Sequence, residues 1–491
     1  MSDFILQGAS SLLDFVFPLV RDEDVVDEEE KQSTPPPPFP ITLLPPELLS
    51  EIFLHCLPAT ITRKFLRPTK YAAPLTLTAV CTHWRFIALS TPALWASMSI
   101  HCYSGHLRPK LPLLKLWIAR SGDRLLDWQL LVDQPENIRD PAAVRKAVGG
   151  VLGVLWGEVG RWQDVKIGAT QAKFVAWEAG IGAVAGAGML EAFEVDMNME
   201  SSFGFHELDI NQNVLGSGPA MDHLVRVLEG AEALKTLKWR GSTAVAAVVP
   251  GTVTEMILDA PLAVAECLEI IGRCGGLEKC TFNGVGRLWV GMPRDLPQGV
   301  RNTNLQALRV EAESNVAALL GAMTLPGLRT LSLAVTSREA RGDAAASNLV
   351  GFLHRSSPPL EELVLENVPF VESELVGCLK ELGKVVVLDI NDEHGVITKA
   401  MVGELGGGSE GVGFLCPRLE VMKLTGRVAC EDGVVARMLN RRMNAESWAA
   451  GVAKLKVVHV EFHAGFHIQD FEAVKRLRED GVVARAFVKY I

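Results

Sequence analysis

The densest group of side chains that could do chemistry lies near the C-terminus, in the segment HVEFHAGFH. It holds His459, Glu461, His463 and His467, and imidazole nitrogens together with a carboxylate can ligate a divalent metal. The spacing is not that of an HExxH metal helix, because residues 459, 461 and 463 alternate as they would along one side of a strand. We therefore expect a solvated strand edge at this segment, without a metal.

A second candidate is the glycine-rich segment GIGAVAG, in which Gly180, Gly182 and Ala185 match the pattern G-x-G-x-x-A of dinucleotide-binding turns. That turn must follow a strand and open a helix. Here the helix-like QAKFVAWEA precedes the glycines and the strand-like LEAFEV follows them. The context predicts a flexible turn and no bound cofactor.

The usual sequence motifs of enzymes are missing as well. The chain has no G-x-S-x-G elbow, Walker A loop, CxxC pair or kinase signature, which are the common marks of nucleophilic and phosphoryl-transfer enzymes. We expect no enzymatic activity of the chain's own and no catalytic residues.

The composition is that of a large folded chain with no general affinity for nucleic acid. The 491 residues exceed the length of one domain of roughly 150 residues, and 48% of them are hydrophobic, enough to bury a large core. With 48 basic and 58 acidic residues the formal net charge is −10, so a nucleic-acid partner is disfavoured.

Cysteine usage and the first residues indicate an intracellular protein, with cytoplasm and nucleus both left open. The nine cysteines form no CxxC pair, and Asp3 stands where a secretory signal would carry basic residues. The longest early apolar run, Leu12–Val20, is far shorter than the roughly 20 residues of a bilayer span. We expect no membrane partner.

Residues 1–40 have the composition of a disordered tail. Seven carboxylates lie within residues 22–30 and four consecutive prolines occupy Pro35–Pro38. Like charges repel and prolines favour an extended chain, so this segment cannot bury a core alone. A solvated spacer is expected, with an interaction tail as the alternative.

Three short helices are predicted between residues 43 and 97. Pro45 and Pro46 suit a first helical turn, which needs no N–H groups from them, and Thr91 followed by Pro92 suits the start of another. The apolar stripes are Leu48, Leu49, Ile52 and Phe53, then Leu77, Val80, Cys81, Trp84, Ile87 and Ala88, then Leu94 and Trp95.

The order LLPPELLSEIF, then LTAVCTHWRFIA, then TPALW resembles the F-box, in the F-box-like form common in fungal proteins. The resemblance implies a helical module over residues 41–100 that docks on the adaptor subunit of an SCF-type cullin ubiquitin ligase, similar to a helix-in-groove contact. The adaptor-binding residues that it implies are Leu44, Pro45, Pro46, Leu48, Leu49, Ile52, Phe53, Val80, Cys81 and Trp84. Some of these must instead form the module's own core, and for Trp84 both roles stay open.

One departure from that family is the long stretch between Leu57 and Leu75. It carries four spaced cations, which are Arg63, Lys64, Arg67 and Lys70. Because they fall short of a dense basic patch, we expect a solvated loop. A specific contact is the alternative.

Residues 101–491 repeat a phrase of the form apolar-x-x-apolar-x-apolar. The clear copies are LKTLKW at 234, LEKCTF at 277, LQALRV at 305, LRTLSL at 328, LEELVL at 360, VVVLDI at 385, LEVMKL at 419 and LKVVHV at 455. Weaker copies are LLDWQL at 125, WQDVKI at 162, LEAFEV at 190 and VTEMIL at 253. Helix-like segments such as VAALLGAM and SELVGCLKEL lie between them, so the phrases predict strands of a parallel sheet with outer helices.

The pattern resembles a degenerate leucine-rich-repeat solenoid, although its spacing of roughly 30 residues exceeds the family's roughly 20–29. The resemblance implies an α/β fold in which the helical module precedes a solenoid. The asparagine that such repeats place after the strand occurs in one unit, Asn198. The regular backbone-bonding ladder is therefore mostly missing, and the curvature stays open.

In this register, residues three, five and seven of each phrase point away from the core, onto the face that such solenoids use for partners. The charged and ionisable residues at these positions include Lys238, Arg240, Glu255, Asp259, Arg309, Glu311, Glu362, Glu366, Asp389, Lys423, His459 and Glu461. Most exposed charges on a strand carry no binding energy, so these residues form a candidate surface only.

The sequence thus favours a substrate-receptor subunit that binds the SCF adaptor, through it the cullin, and an unknown protein target. The alternative is a scaffold outside any ligase, in which the helical module caps the solenoid. The two differ in whether the apolar face with Leu48, Ile52 and Phe53 is open to a partner or packs on the first repeat.

Overall fold

The computed structural model describes residues 41–57, 65–133, 141–169, 186–196, 219–241, 243–286, 297, 299–314, 316–337, 345–393, 395, 397–407, 413–463 and 465–489. Contacts divide the chain into two compact units, Met1–Pro46 and Glu47–Ile491. The expected tail at 1–40, Gly180, Gly182 and Ala185 of the candidate turn, and Asn198 lie outside the described residues.

The first helices are α1 (Pro46–His55) and α2 (Thr82–Leu89), with 3-10 turns at Ile41–Leu43, Leu77–Ala79 and Pro92–Trp95. α1 begins at a proline, as predicted, and Glu47 lies in its first turn, where a negative charge is favourable. The second apolar stripe is not one helix, because Cys81 is extended (φ −156°, ψ 171°) and separates the turn from α2. The Cys81 thiol accepts the Trp84 N–H at 3.4 Å and so caps α2.

The strands begin at Ser97. They are β1 (Ser97–Tyr103), β2 (His106–Arg108), β3 (Leu126–Asp133), β4 (Trp162–Ala169), β5 (Ala192–Asp196), β6 (Thr236–Arg240), β7 (Glu255–Asp259), β8 (Lys279–Val285), β9 (Val300–Arg301), β10 (Ala307–Ala312), β11 (Met323–Thr324), β12 (Thr330–Val335), β13 (Glu362–Glu366), β14 (Val387–Asp392), β15 (Val421–Val428), β16 (Val457–Phe462) and β17 (Val483–Val488). Every clear or weak copy of the repeated phrase lies on one of these strands.

Fifteen of the described strands form one sheet in the order β2-β1-β3-β4-β5-β6-β7-β8-β10-β12-β13-β14-β15-β16-β17, and β9 pairs with β11. Apart from the antiparallel β1–β2 pair, every pair in the large sheet is parallel. The predicted α/β fold with a parallel sheet is confirmed.

The connections hold the remaining helices. These are α3 (Leu111–Arg120), α4 (Pro141–Trp156), α5 (Pro219–Glu229), α6 (Val264–Arg273), α7 (Val316–Ala322), α8 (Ala345–Ser356), α9 (Glu372–Glu381), α10 (Lys399–Leu405), α11 (Val434–Arg442), α12 (Ala445–Ala449) and α13 (Ile468–Glu479). Alternate strand residues such as Leu363 and Leu365 are buried, and those between them are half-buried or exposed. One face of the sheet therefore packs on the helices and the other is open.

Arginine side chains cap the helical carbonyl groups of the preceding strand–helix unit. Nη2 of Arg355, at the end of α8, donates to the carbonyl oxygens of Leu320 and Gly321 in α7, at 2.8 and 3.0 Å. Nη1 of Arg273, at the end of α6, donates in the same way to Ala247 at 2.8 Å. These carbonyl groups have no partner within their own helices, so the arginines join neighbouring units.

Arg442 makes the most buried of these contacts. It is fully buried, and Nη1 donates to the carbonyl oxygens of Leu405 and Leu415, at 2.8 and 2.9 Å, while Nη2 donates to that of Cys416 at 2.8 Å. Burial lowers the pKa of Arg442 to about 10, so the guanidinium is charged at neutral pH. Asn302 contacts the end of α6 in a similar way through two carbonyl groups.

Candidate functional site

The open side of α1 carries two large apolar side chains one turn apart. Leu48 is 53% exposed and Ile52 is 40% exposed, although burying either would stabilise by about 1.5–3 kcal/mol. Their neighbours Leu49 and Phe53 are fully buried. α1 therefore has an interior side and an open apolar side, and residues predicted together as adaptor-binding divide between the two.

α2 meets α1 through an aromatic contact. The rings of Phe53 and Trp84 lie 4.9 Å apart between centroids, and Trp84 is half-buried. Val80, just before the cap of α2, is 59% exposed, and Cys81 is exposed. Trp84 thus contributes to packing, whereas Val80 is accessible to a partner.

Three further predicted adaptor-binding residues precede or begin α1. Leu44 is half-buried, and Pro45 and Pro46 are exposed. Leu44 and Pro45 belong to the first compact unit together with Pro46. Pro46 supplies the first residue of α1.

Trp95 joins the helical segment to the strands and helices that follow. It is fully buried, its Nε1 donates to the Ala88 carbonyl oxygen at 2.9 Å, and its ring lies 4.8 Å from that of Trp117 on α3. Thr91 does not cap the turn at 92–95, contrary to expectation, because its hydroxyl donates to the Ile87 carbonyl oxygen at 2.8 Å. The attachment uses Trp95, and Leu48 and Ile52 on the open side of α1 stay exposed beside the described residues.

The charged residues predicted for the open face of the sheet all have accessible positions. Arg240, Arg309 and Glu366 are exposed. The half-buried ones are Lys238, Glu255, Asp259, Glu311, Glu362, Asp389, Lys423, His459 and Glu461. The predicted alternation of inward and outward residues is therefore correct at each of them.

Many of these charges pair across neighbouring strands. Arg240 lies between Asp196 and Asp259, with nitrogen–oxygen distances of 3.6 and 2.7 Å, and Lys423 contacts Asp389 at 2.8 Å. Further pairs are Lys238 with Glu194 at 4.0 Å and Lys489 with Glu461 at 3.9 Å. Exposed pairs of this kind each contribute at most about 1 kcal/mol. Their main effect is to neutralise the face locally, and within the described chain Arg309 and Glu366 have no ion pair.

The histidine-rich segment is not a strand edge, contrary to expectation, since β16 pairs with β15 on one side and β17 on the other. The His459 ring lies 5.0 Å from that of Phe487. His459 Nε2 and His463 Nδ1 are buried and have no hydrogen-bond partner among the described residues. His459, Glu461 and His463 do not converge with His467 on a common point among the described groups.

His467 instead meets two carboxylates that the sequence did not single out, Asp432 and Asp470, with ligand atoms within 4.8 Å of one another. Asp470 accepts the Ala436 N–H at 2.7 Å in the first turn of α11, and Asp432 accepts the Gln469 N–H at 2.9 Å in the first turn of α13. Asp470, which lies in α13, thus caps α11, and Asp432, which lies just before α11, caps α13. This reciprocal capping gives the two carboxylates a structural role. The sequence signal that could have identified Asp432 and Asp470 is the position of each aspartate at the start of a helix.

The thiols of Cys378, which is buried, and Cys430, which is half-buried, are poor nucleophiles at neutral pH. Burial raises the pKa of Cys378 to about 12, and it does the same for Cys430, with a further contribution from the Asp470 carboxylate. A protonated thiol is a poor nucleophile and a poor metal ligand. Both side chains stay protonated at neutral pH.

Comparison with known proteins leaves these features without a family assignment. No protein-family model matches the chain, and no curated protein matches it in sequence. Within the described residues, no helix combines the length and the apolarity needed to cross a bilayer.

Proposed function

We propose that this protein is a substrate-receptor subunit of an SCF-type cullin ubiquitin ligase. In this proposal the helical segment at 41–100 is an F-box-like module that binds the adaptor, and through it the cullin. The region that follows is a leucine-rich-repeat-like solenoid that binds a target protein. The chain itself performs no chemistry, because holding a target near a ubiquitin-charged enzyme raises effective concentration.

The observation that supports this proposal most directly is the open apolar side of α1. Leu48 and Ile52 are exposed one turn apart, and Val80 is exposed beside the cap of α2. Large apolar side chains on a short amphipathic helix are the usual anchors of a helix-in-groove contact. Leu49 and Phe53 are interior residues and would act only by holding the helix in place.

The sheet supports the second half of the proposal. From β3 to β17 its strands follow one another in sequence order, without β9 and β11, and its open face displays both signs of charge. Such an extended face is suited to a protein surface and lacks the enclosed, apolar shape of a small-molecule pocket. Arg309 and Glu366 are the best candidates for target contacts there because they have no ion pair among the described residues.

The alternative function, a scaffold with a helical cap, has one observation in its favour. Trp95 is fully buried against Trp117 of α3, so the helical segment does cover the first strand–helix unit. Capping and adaptor binding use different residues and are compatible with each other. They differ in whether the open side of α1 has a partner.

The test is co-purification of the full-length protein with the cullin adaptor of the same host. We expect a stoichiometric complex with the wild type and a loss of affinity on the order of a hundredfold for the double variant Leu48→Asp and Ile52→Asp. Each aspartate would place an unpaired charge in an apolar contact.

A matched control replaces exposed apolar residues elsewhere, Leu116→Asp and Val371→Asp. This variant should bind the adaptor as the wild type does, and circular dichroism should show both variants folded. Failure of the wild type to bind would reject the receptor function and leave the scaffold.

A further inference from the structure

We propose that an open cleft beside the helical segment binds a small soluble anion that carries phosphoryl groups. The cleft has a volume of about 660 Å³, within the roughly 300–1,000 Å³ of small-molecule sites. Its polar lining residues include Arg67, Thr69, His106, Arg108 and Lys110. This site is separate from the adaptor-binding surface and from the open face of the sheet, and it does not depend on the proposed function.

The residues that line the cleft have a positive net charge, whereas the net charge of the whole protein is negative. Arg67, Arg108 and Lys110 supply three permanent positive charges, and no lining residue is acidic. None of the three has an ion pair within the described chain. The whole chain has a formal net charge of −10, whereas the lining of this cleft has a positive charge. A bound anion would reduce the mutual repulsion of the three cations.

The backbone beneath these cations is held in place by strand β1. Leu66 is buried, its N–H contacts the Ser97 hydroxyl at 3.3 Å, and its carbonyl oxygen accepts the Ser99 N–H at 2.6 Å. Arg108 lies on β2 opposite His101 of β1. The two guanidinium groups therefore project from segments that are both fixed to the same strand.

The hairpin between β1 and β2 has a tight turn. Ser104 and Gly105 both have positive φ, 47° and 82°, as a two-residue hairpin turn of the primed kind requires. A Cβ on Gly105 would lie 3.1 Å from that of Ala143. Glycine at this position thus permits the positive φ of the turn and the close approach of α4, and the hairpin brings Arg108 of β2 to the cleft.

The start of α3 adds to the positive potential. Lys110 occupies the N-cap and makes no side-chain cap, and Leu111, the first residue of the helix, lines the cleft. The N-terminal end of a ten-residue helix carries a partial positive charge that favours anions. The helix and the three cations favour the same kind of ligand.

The side chains favour a phosphoryl group among anions. Guanidinium groups bind phosphate oxygens through paired hydrogen bonds, and the Thr69 hydroxyl can donate another. No Phe, Tyr or Trp lines the cleft, so the His106 imidazole is the one aromatic ring among the lining residues for stacking the bases of a single-stranded nucleic acid. The ligand class that fits is a small molecule with a diphosphate or a comparable cluster of phosphoryl oxygens.

The test is titration calorimetry of the full-length protein with inorganic pyrophosphate in 150 mM NaCl. We expect one site, with binding weakened by about a hundredfold in the double variant Arg67→Gln and Arg108→Gln, about tenfold for each guanidinium removed. The control Arg418→Gln and Arg437→Gln removes two exposed cations elsewhere and should bind as the wild type does.

Three outcomes would overturn the assignment. They are no measurable heat with pyrophosphate, equal weakening in both double variants, and binding to phosphatidylcholine vesicles with 10% phosphatidate but not to pyrophosphate. The last would place the ligand on a membrane. Circular dichroism of both variants guards against loss of the fold, which is not expected at exposed positions.

Discussion

At the scale of single residues, neighbouring side chains in α1 have different roles. Leu48 and Leu49 are adjacent and chemically identical, yet one is exposed and the other fully buried. The same division separates Ile52 from Phe53. Since successive residues on a helix are rotated by about 100°, composition cannot assign these roles and only the packing can.

We expect Phe53→Ala to loosen the helical segment and Leu48→Ala to leave it intact. Truncating a buried phenylalanine costs about 3–5 kcal/mol, whereas changes at exposed positions stay within about 0.5 kcal/mol. Hydrogen exchange of the α1 and α2 amides, measured by mass spectrometry on the full chain, gives the local opening free energy. Equal loss of protection in the two variants would contradict the assigned burial.

At the scale of elements, the repeated phrase identified the inner strands because each has large buried residues at alternate positions. The prediction does not include β1, although WASMSI at 95–100 fits the phrase, because Trp95 also fits the predicted helical segment. It does not include β17, because Ala484, on the buried side of that strand, is too small to mark a core position. The positions of the inner strands can thus be predicted from the local sequence pattern. The end strands form by pairing with a neighbouring strand and lack a clear pattern of their own.

The contacts between elements could not be predicted from the sequence. Arg67 lies far along the chain from Arg108 and Lys110, and the fold brings it to the same cleft. Asp432 and Asp470 are likewise brought together when successive helices align. The interlocking arginines have the same origin, since a C-terminal helix residue such as Arg355 finds its partners in the previous helix.

We expect Arg442→Met to destabilise the protein strongly. Methionine retains much of the volume but leaves the carbonyl groups of Leu405 and Leu415 without their donor, whereas the carbonyl oxygen of Cys416 keeps the Leu419 N–H at 3.1 Å. Each unpaired buried group costs about 1–3 kcal/mol, so the total should reach at least about 2 kcal/mol. The urea midpoint of the full chain measures it.

The matched control is Arg437→Met on the same helix, where the side chain is exposed. Its urea midpoint should stay near that of the wild type, because exposed substitutions change stability by about 0.5 kcal/mol or less. If both variants shift equally, the buried hydrogen bonds of Arg442 do not carry the stability assigned to them.

At the scale of the whole molecule, the large sheet follows sequence order from β3 to β17, omitting only β9 and β11. Contacts between strands therefore join segments that are near each other in sequence. We expect a chain built this way to behave as a one-dimensional array whose units depend on their immediate neighbours. A substitution that unfolds the units at one end of the sheet should therefore leave the units at the other end folded.

We expect Ala484→Asp in β17 to expose only the C-terminal units, because a buried charge there is felt by β16 and α13 alone. Leu363→Asp in β13, a buried position inside the array, should loosen units on both sides. Peptide-resolved hydrogen exchange distinguishes the two patterns. Uniform loss of protection across the chain with Ala484→Asp would show that the array unfolds as a single cooperative block.

The two edges of the sheet are unlike in kind. At one edge β2 has three residues, runs antiparallel and is followed at once by Pro109, which has no N–H to donate. At the other edge β17 has six residues, and among the described strands only β16 lies beside it. Among the described strands, the β17 edge alone is long and unpaired enough to template an added strand, so we expect molecules that associate through it to stop at pairs. A fibre needs a receptive edge at both ends of the sheet.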